Sequence, residues 1–369
     1  MNSLDLENLY SDTDKTRKSI KRWLEQLSKD LPYGHFRFCT EGSLIPSIGQ
    51  TCQASTCFAI KTAWQTGIWD EWPDIIKTGC SEFLRSVQQE NGYFYDPWLH
   101  KATKFNLSFI INRILRKRNL KLCNLIAETR QSASTLLMIG KKPVYPLPVP
   151  VKTPDEVVRY ITSLNWNNPW DAGSHFSHLI FFIVNNKKIS ALSYNYQSLI
   201  HTAVKTLESY YHKPTGTWFT GNPSNTQLVN GTMKIFTGLQ LLGYKHPDPC
   251  NIIDFALSVP FGKDGCSFLD LIFVIYQARL SNPNYRSNDI KGIAVNALKH
   301  INGFKKPDGG FSFYPDRAQT TYYRARVSKG FPVSDLHGTV MATWIISLCL
   351  SILNDDYPSQ YRRWNIMIP

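Results

Sequence analysis

Two kinds of helical pattern alternate along the chain. Segments of the first kind, at 15–30, 73–89, 154–164, 198–211 and 289–302, mix apolar and charged positions. That pattern predicts amphipathic helices with one face on a core. Segments of the second kind, at 49–65, 171–184, 230–242, 264–278 and 335–353, are apolar almost all round and open on small or polar residues. A helix that is apolar on every side is buried on every side. The amphipathic set is therefore expected outside and the apolar set inside.

The ends of the segments agree with this. Ser, Thr, Asp or Asn precedes most apolar segments, as helix N-caps do. Gly67, Gly140 and Gly243 stand where helices stop. Strand signals are sparse. Residues 144–154, VYPLPVPVKTP, are rich in proline and predict an extended connector. A subdivision near 141–154 is possible within what otherwise reads as a single domain.

A weak repeat accompanies the alternation. ENGYFYDP at 90, PTGTWFTGNP at 214 and PDGGFSFYPD at 307 each follow an amphipathic segment. Each has a glycine and then an aromatic residue two positions on: Gly92 and Phe94, Gly216 and Trp218, Gly309 and Phe311. An apolar helix follows after a loop. Repeated helix pairs point to a solenoid or a closed ring, here of about six hairpins.

Composition narrows the classes. The 369 residues carry 41 Lys plus Arg against 28 Asp plus Glu, a formal net charge of +13. With 43% apolar residues the chain has ample material for a core, which excludes wholesale disorder. The longest apolar runs, 176–184 and 268–276, are about half a bilayer span, so no transmembrane helix is expected. The acidic, polar start is unlike a secretory signal. Eight cysteines without a CxxC pair read as reduced thiols in a cytoplasmic protein. The positive balance suits an anionic small molecule or peripheral contact with an anionic membrane. No nucleic-acid module is recognisable, and no P-loop, GxSxG or HExxH motif is present.

Three short blocks carry a resemblance. KKPDGGFSFYPD, from Lys305, resembles the QxxDGGW-type repeat of squalene and terpene cyclases and of protein prenyltransferase β subunits. GKDGCSFLDLIFVIYQ, from Gly262, is similar to the zinc motif of those β subunits, and SDLHGTVMATWIISL, from Ser334, resembles their final helix. The resemblance implies an all-α (α/α)6 toroid whose inner helices surround a cavity. It also implies a zinc set of Asp264, Cys266 and His337. The family places two residues between the last Asp and His; here Asp335 and His337 are separated by one, and Gly338 takes the matching place. The DxDD and DDxxD motifs of terpene cyclases are absent; Asp355 and Asp356 are the nearest acidic pair.

In such a ring the starts of the inner helices would share one rim. Asp335, His337, Asp171, His175 and His178 are then the acid–base candidates. Trp170, Asn230, Tyr322, Arg324 and Arg326 are candidates for holding substrate, the arginines through an anionic head. The basic run from Arg113 to Lys121 is a further phosphate candidate. The expected function is an isoprenoid- or amphiphile-processing enzyme of the prenyltransferase or cyclase type. A carbohydrate-active toroid, hydrolase or lyase, and a non-catalytic binding ring stay open beside it.

Overall fold

A computed structural model describes residues 3–45, 52–103, 120–189, 195–353 and 364–367. The chain is mostly helical, as the alternating pattern predicts. The helices are α1 (Ser3–Ser28), α2 (Gln53–Gln65), α3 (Asp74–Ser86), α4 (Pro97–Thr103), α5 (Leu120–Met138), α6 (Pro154–Thr162), α7 (Pro169–Ile189), α8 (Tyr196–Leu207), α9 (Asn225–Leu239), α10 (Pro249–Leu257), α11 (Gly265–Ser281), α12 (Ser287–His300) and α13 (Leu336–Ile352). Strand content among the described residues is two hairpins, β1 (Tyr211–His212) with β2 (Thr217–Trp218) and β3 (Thr321–Tyr322) with β4 (Ala325–Arg326). Arg113, Arg116, Lys117 and Arg118 of the basic run, with Asp355 and Asp356, lie outside the described residues.

Two compact units divide the chain. Unit 1 combines Met1–Val144 with Asn296–Met367, and unit 2 is built from Tyr145–Val295. The first boundary falls in the proline-rich connector, where residues 141–153 form neither helix nor strand.

In unit 1, α2 lies between α5 and α13. Gln53 meets Glu128 and, one turn on, Cys57 meets Ser132, so α2 and α5 run parallel. Phe58 meets His337 and Gln65 meets Thr343, so α2 and α13 run parallel too. The inside of these helices is unusually polar, with Lys61, Gln65, Glu128 and Arg130 all buried.

Unit 2 repeats the arrangement. Ser177 on α7 and Thr237 on α9 share a hydrogen bond of 3.0 Å, and Gly173 lies against the Gly231 carbonyl. The amphipathic α6 and α8 pack on each other. Close approach of α7 and α9 depends on glycine: a Cβ at Gly231 would stand 2.6–2.8 Å from Pro169 atoms, two of them backbone. Gly231→Ala is expected to destabilise the protein by about 2–3 kcal/mol, because backbone cannot move aside as a side chain can. Urea titration against wild type measures this, and a shift below about 0.5 kcal/mol would mean that the two helices separate freely.

The three glycine–aromatic turns each fold back into an antiparallel pairing that ends on the aromatic residue. Gln88 pairs with Phe94, Tyr211 with Trp218 and Lys305 with Phe311, all antiparallel. The three aromatics are buried. The Phe94 N–H donates to Thr129 of α5 and the Phe311 N–H to Thr339 of α13, both at 3.0 Å. The sequence repeat therefore encodes a tight turn that docks on an inner helix.

Candidate functional site

The start of α13 is fixed by its N-cap. Asp335 is fully buried. Its Oδ1 accepts from the Gly338 N–H at 2.7 Å, and its Oδ2 accepts from the N–H groups of Phe313 at 2.8 Å and Gln319 at 3.0 Å. Burial pushes the carboxyl up to about 6, against the pull of these donors toward the ionised form. The third glycine–aromatic turn is thereby tied to the helix. Gly338 is required by the same interlock, since a Cβ there would lie 2.2 Å from the Ser312 and Phe313 backbone. No side chain, a zinc-binding histidine included, fits at that position.

His337 projects from the same turn of α13 into a ring of aromatics. Phe58 stacks on one side at 4.7 Å and 14°, and Phe313 stacks on it at 4.9 Å and 23°. Tyr322 meets it edge-on at 5.6 Å. Nδ1 lies 2.8 Å from Gln319 Oε1. A carbonyl oxygen only accepts, so Nδ1 is the donor in this contact. The two acid–base candidates of this helix start do not bond each other through their side chains. Asp335 binds the Gln319 backbone, and the Gln319 side chain orients His337.

Tyr322 reaches this ring from the β3–β4 hairpin. Tyr322 pairs with Ala325 around a two-residue turn of Tyr323 and Arg324. Both turn residues have left-handed backbone, with φ of 45° and 67°. A type I′ turn needs this geometry and normally uses Asn-Gly. Holding two larger residues there costs about 1–2 kcal/mol each. The turn puts Tyr322 inside, while Arg324 and Arg326 are exposed.

Beside Tyr322 lies a buried acid that the sequence reading missed. Glu128 on α5 is 2% exposed. Its Oε2 accepts from Gln53 Nε2 at 2.6 Å. Its Oε1 is buried and has no hydrogen-bond partner among the described residues. The Tyr322 phenol is near enough to favour the carboxylate slightly, yet it makes no hydrogen bond of normal geometry to Oε1. Burial first, and the nearby Asp96 second, push Glu128 up to about 8. Both effects favour the neutral acid over the carboxylate. Asp96 is buried as well, and its oxygens accept from the N–H groups of Gln53 at 2.9 Å, Trp98 at 2.9 Å and Leu99 at 3.2 Å. It caps helices, whereas Glu128 does not. Lys61 and Arg130 lie on the same two helices and were also missed. Their signal is a charge inside an otherwise apolar or small-residue helix, as in CFAIKTAW around Lys61.

The remaining candidates belong to unit 2. His175 Nε2 is 3.9 Å from Asp171 Oδ1 one turn away, and its Nδ1 is 3.5 Å from the Tyr160 hydroxyl. His175 and His178 meet edge to face at 6.1 Å. Trp170 is 47% exposed, and the buried Asn230 Oδ1 has no partner among the described residues. Asp264 caps α11, accepting from the Ser267 N–H at 3.0 Å and its hydroxyl at 3.1 Å. Cys266 follows it half-buried. Among the described residues no three His, Cys, Asp or Glu side chains are gathered so as to hold a metal ion. Asp264 and Cys266 belong to unit 2 and His337 to unit 1.

None of the eight cysteines is in a disulfide, and five of them are buried. No helix among the described residues is long and apolar enough to cross a membrane.

No family model matches the chain, and no curated protein is similar to it. Among solved structures, a protein from Actinoplanes is similar over 90% of this chain and 99% of its own, at 13% identity and a TM-score of 0.41.

Proposed function

We propose that the chain is an acid–base enzyme of the (α/α) toroid type that protonates an unsaturated, isoprenoid-like amphiphile at the unit 1 site. One observation carries the reading: the buried Glu128 carboxyl, which burial and the nearby Asp96 favour in its neutral form, has an oxygen without a hydrogen-bond partner among the described residues, beside the Tyr322 ring. The toroid is supported by the parallel inner helices within each unit and by the three docked turns.

The chemistry follows from the residues. Glu128 gives its proton to one carbon of a C=C bond, whose π electrons form the new C–H bond and leave a cation on the other carbon. Phe58, Phe313 and Tyr322 offer ring faces that stabilise such a cation. His337 Nε2 takes a proton from a neighbouring carbon and restores a double bond. The substrate is isomerised or cyclised without change of mass. Burial of the acid keeps it loaded at neutral pH, as general acid catalysis requires.

A glycoside-cleaving reading would need a second available carboxylate. Asp96 and Asp335 are both bound by backbone amides, so neither suits that role. Incubation in D2O with a panel of prenyl and alkenyl alcohols, carboxylates and phosphates tests the proposal. An isomeric product carrying one solvent deuterium is expected. Products formed by hydrolysis, or deuterium-free products, would overturn it.

A further inference from the structure

The second glycine–aromatic turn is held differently from the other two. Phe94 and Phe311 dock by donating their N–H groups to Thr129 and Thr339. On α9, the inner helix that β2 packs on, the buried Thr232 Oγ1 has no hydrogen-bond partner among the described residues. His246 holds this turn instead. It is buried among Tyr211, Trp218 and Phe236, with ring centroids 5.9, 5.6 and 5.7 Å away. Its Nε2 lies 2.8 Å from the Gly216 carbonyl oxygen, and the Asp248 N–H donates to its Nδ1 at 3.1 Å. A carbonyl only accepts and a backbone N–H only donates, so the two partners fix the ring as neutral imidazole with its proton on Nε2. The His246 N–H donates to Ser281 Oγ, at the end of α11, at 3.0 Å. The ring thus ties the turn to Asp248, the N-cap residue of α10. Gly216 is required for the contact: its φ is +67°, and a Cβ there would stand 3.1 Å from the ring Cε1.

We infer that His246 is an acid-sensitive latch: a proton added at Nδ1 meets the Asp248 N–H and releases the Gly216 turn from the start of α10. Two donors then face each other where one bond stood, and a cation is created in a buried place. Asp248 is the charged group that acts on the ring; it favours the cation, and its carboxylate accepts from the Tyr211 hydroxyl at 2.7 Å. Burial outweighs it and holds the imidazole below its usual 6.5. Tyr211 and Tyr244 are both pushed up by burial and stay neutral. On the surrounding elements His212, Lys213 and Lys245 are exposed, and Cys250 of α10 and Arg279 of α11 are half-buried. A base that folding holds neutral contributes its stability in full above about pH 6.5 and loses it as pH falls. Opening takes up one proton, so the open fraction rises by at most about tenfold per pH unit. The latch lies wholly in unit 2 and is independent of the acid–base reading.

Hydrogen–deuterium exchange of the full chain, read by mass spectrometry between pH 7.5 and 5, tests the latch. Peptides covering the two threonine-held turns, 87–95 and 304–313, serve as internal references and remove the intrinsic pH dependence of exchange. Relative to them, protection of peptides covering 210–219 and 246–252 is expected to fall about fivefold or more across this range. His246→Gln keeps a donor for the Gly216 carbonyl and has nothing to protonate, so its relative protection is expected to be flat in pH. An equal pH response of all three turns in the wild type, or a relative fall that persists in His246→Gln, overturns the proposal. Should the variant fail to fold, the wild-type comparison still decides. Nitrogen-15 spectra of histidine-labelled protein add a second readout: His246 is expected as the Nε2–H tautomer at pH 7.5. An imidazolium or an Nδ1–H tautomer at that pH would refute the latch.

Discussion

Replacing Asp335 by alanine is expected to destabilise unit 1 by about 4 kcal/mol, well above the roughly 1 kcal/mol of an ordinary helix cap. The carboxylate accepts from three backbone N–H groups, of Gly338, Phe313 and Gln319. Alanine leaves all three without an acceptor in a fully buried place, and each orphaned group costs about 1–3 kcal/mol. Asparagine has one oxygen for two acceptor positions and turns an N–H2 toward the other. It is expected to cost about 2 kcal/mol, more than a charge-neutral cap swap. The carboxyl is raised to about 6 in the folded state, so its contribution is fullest below about pH 4 and declines as pH rises toward 6. Guanidinium unfolding at several pH values checks both statements. A cost under 1 kcal/mol for alanine would reduce Asp335 to a simple cap. His337→Ala should leave these three bonds intact and spare the cap.

Glu128→Gln is expected to abolish turnover, by a thousandfold or more, while making the protein more stable above pH 7. Glutamine keeps the shape and one acceptor oxygen but has no acidic proton to give. The stability arm needs no substrate. Glu128 is raised from about 4.5 to about 8 on folding, so the unfolded chain loses this proton first as pH rises. Wild-type stability from this group is therefore complete below about pH 4.5, declines up to about pH 8 and is flat beyond. The size of the decline measures how far folding raises the acid. In the glutamine variant that slope should vanish. Thermal unfolding from pH 5 to 9 reads the difference directly. An unchanged slope would show that Glu128 is ionised in the folded protein and would remove the proposed proton donor.

Much of the helical framework was legible because burial leaves a periodic trace. The five all-apolar segments correspond to α2, α7, α9, α11 and α13 within a few residues at most ends. The glycine–aromatic repeat was legible for a similar reason: a left-handed glycine and a buried ring are both rare requirements. α5 was not, because its inner face carries Glu128, Thr129, Arg130 and Ser132, which break the apolar pattern that betrays an inner helix. The same polarity hid the acid. The reading looked for chemistry at helix starts, and Glu128 sits in mid-helix, where a charge ordinarily marks a solvated face. Asp335 and His337 stand at the start of α13, but the groups they bind there were not legible. Which backbone amide a carboxylate binds depends on residues 313 and 319 folding back, and no local spacing records that.

Unit 1 is assembled from two separated stretches, and this sets an order of events during synthesis. Residues 38–44 are stitched to residues 327–336 by backbone bonds, including the Leu336 N–H to the Phe38 carbonyl at 2.9 Å and the Leu44 N–H to the Val327 carbonyl at 2.9 Å. α2 leaves the ribosome about 270 residues before α13. At 5–20 residues per second that is roughly 15–50 s. Through this interval Phe58 and Gln65 lack His337 and Thr343, and the α13 face of α2 stays open to water or to a chaperone. The Tyr145–Val295 stretch of unit 2 can close in the meantime. The nascent chain is thus most vulnerable to aggregation through its earliest inner helix, and translation pauses within residues 145–295 would lengthen that exposure without touching the site itself.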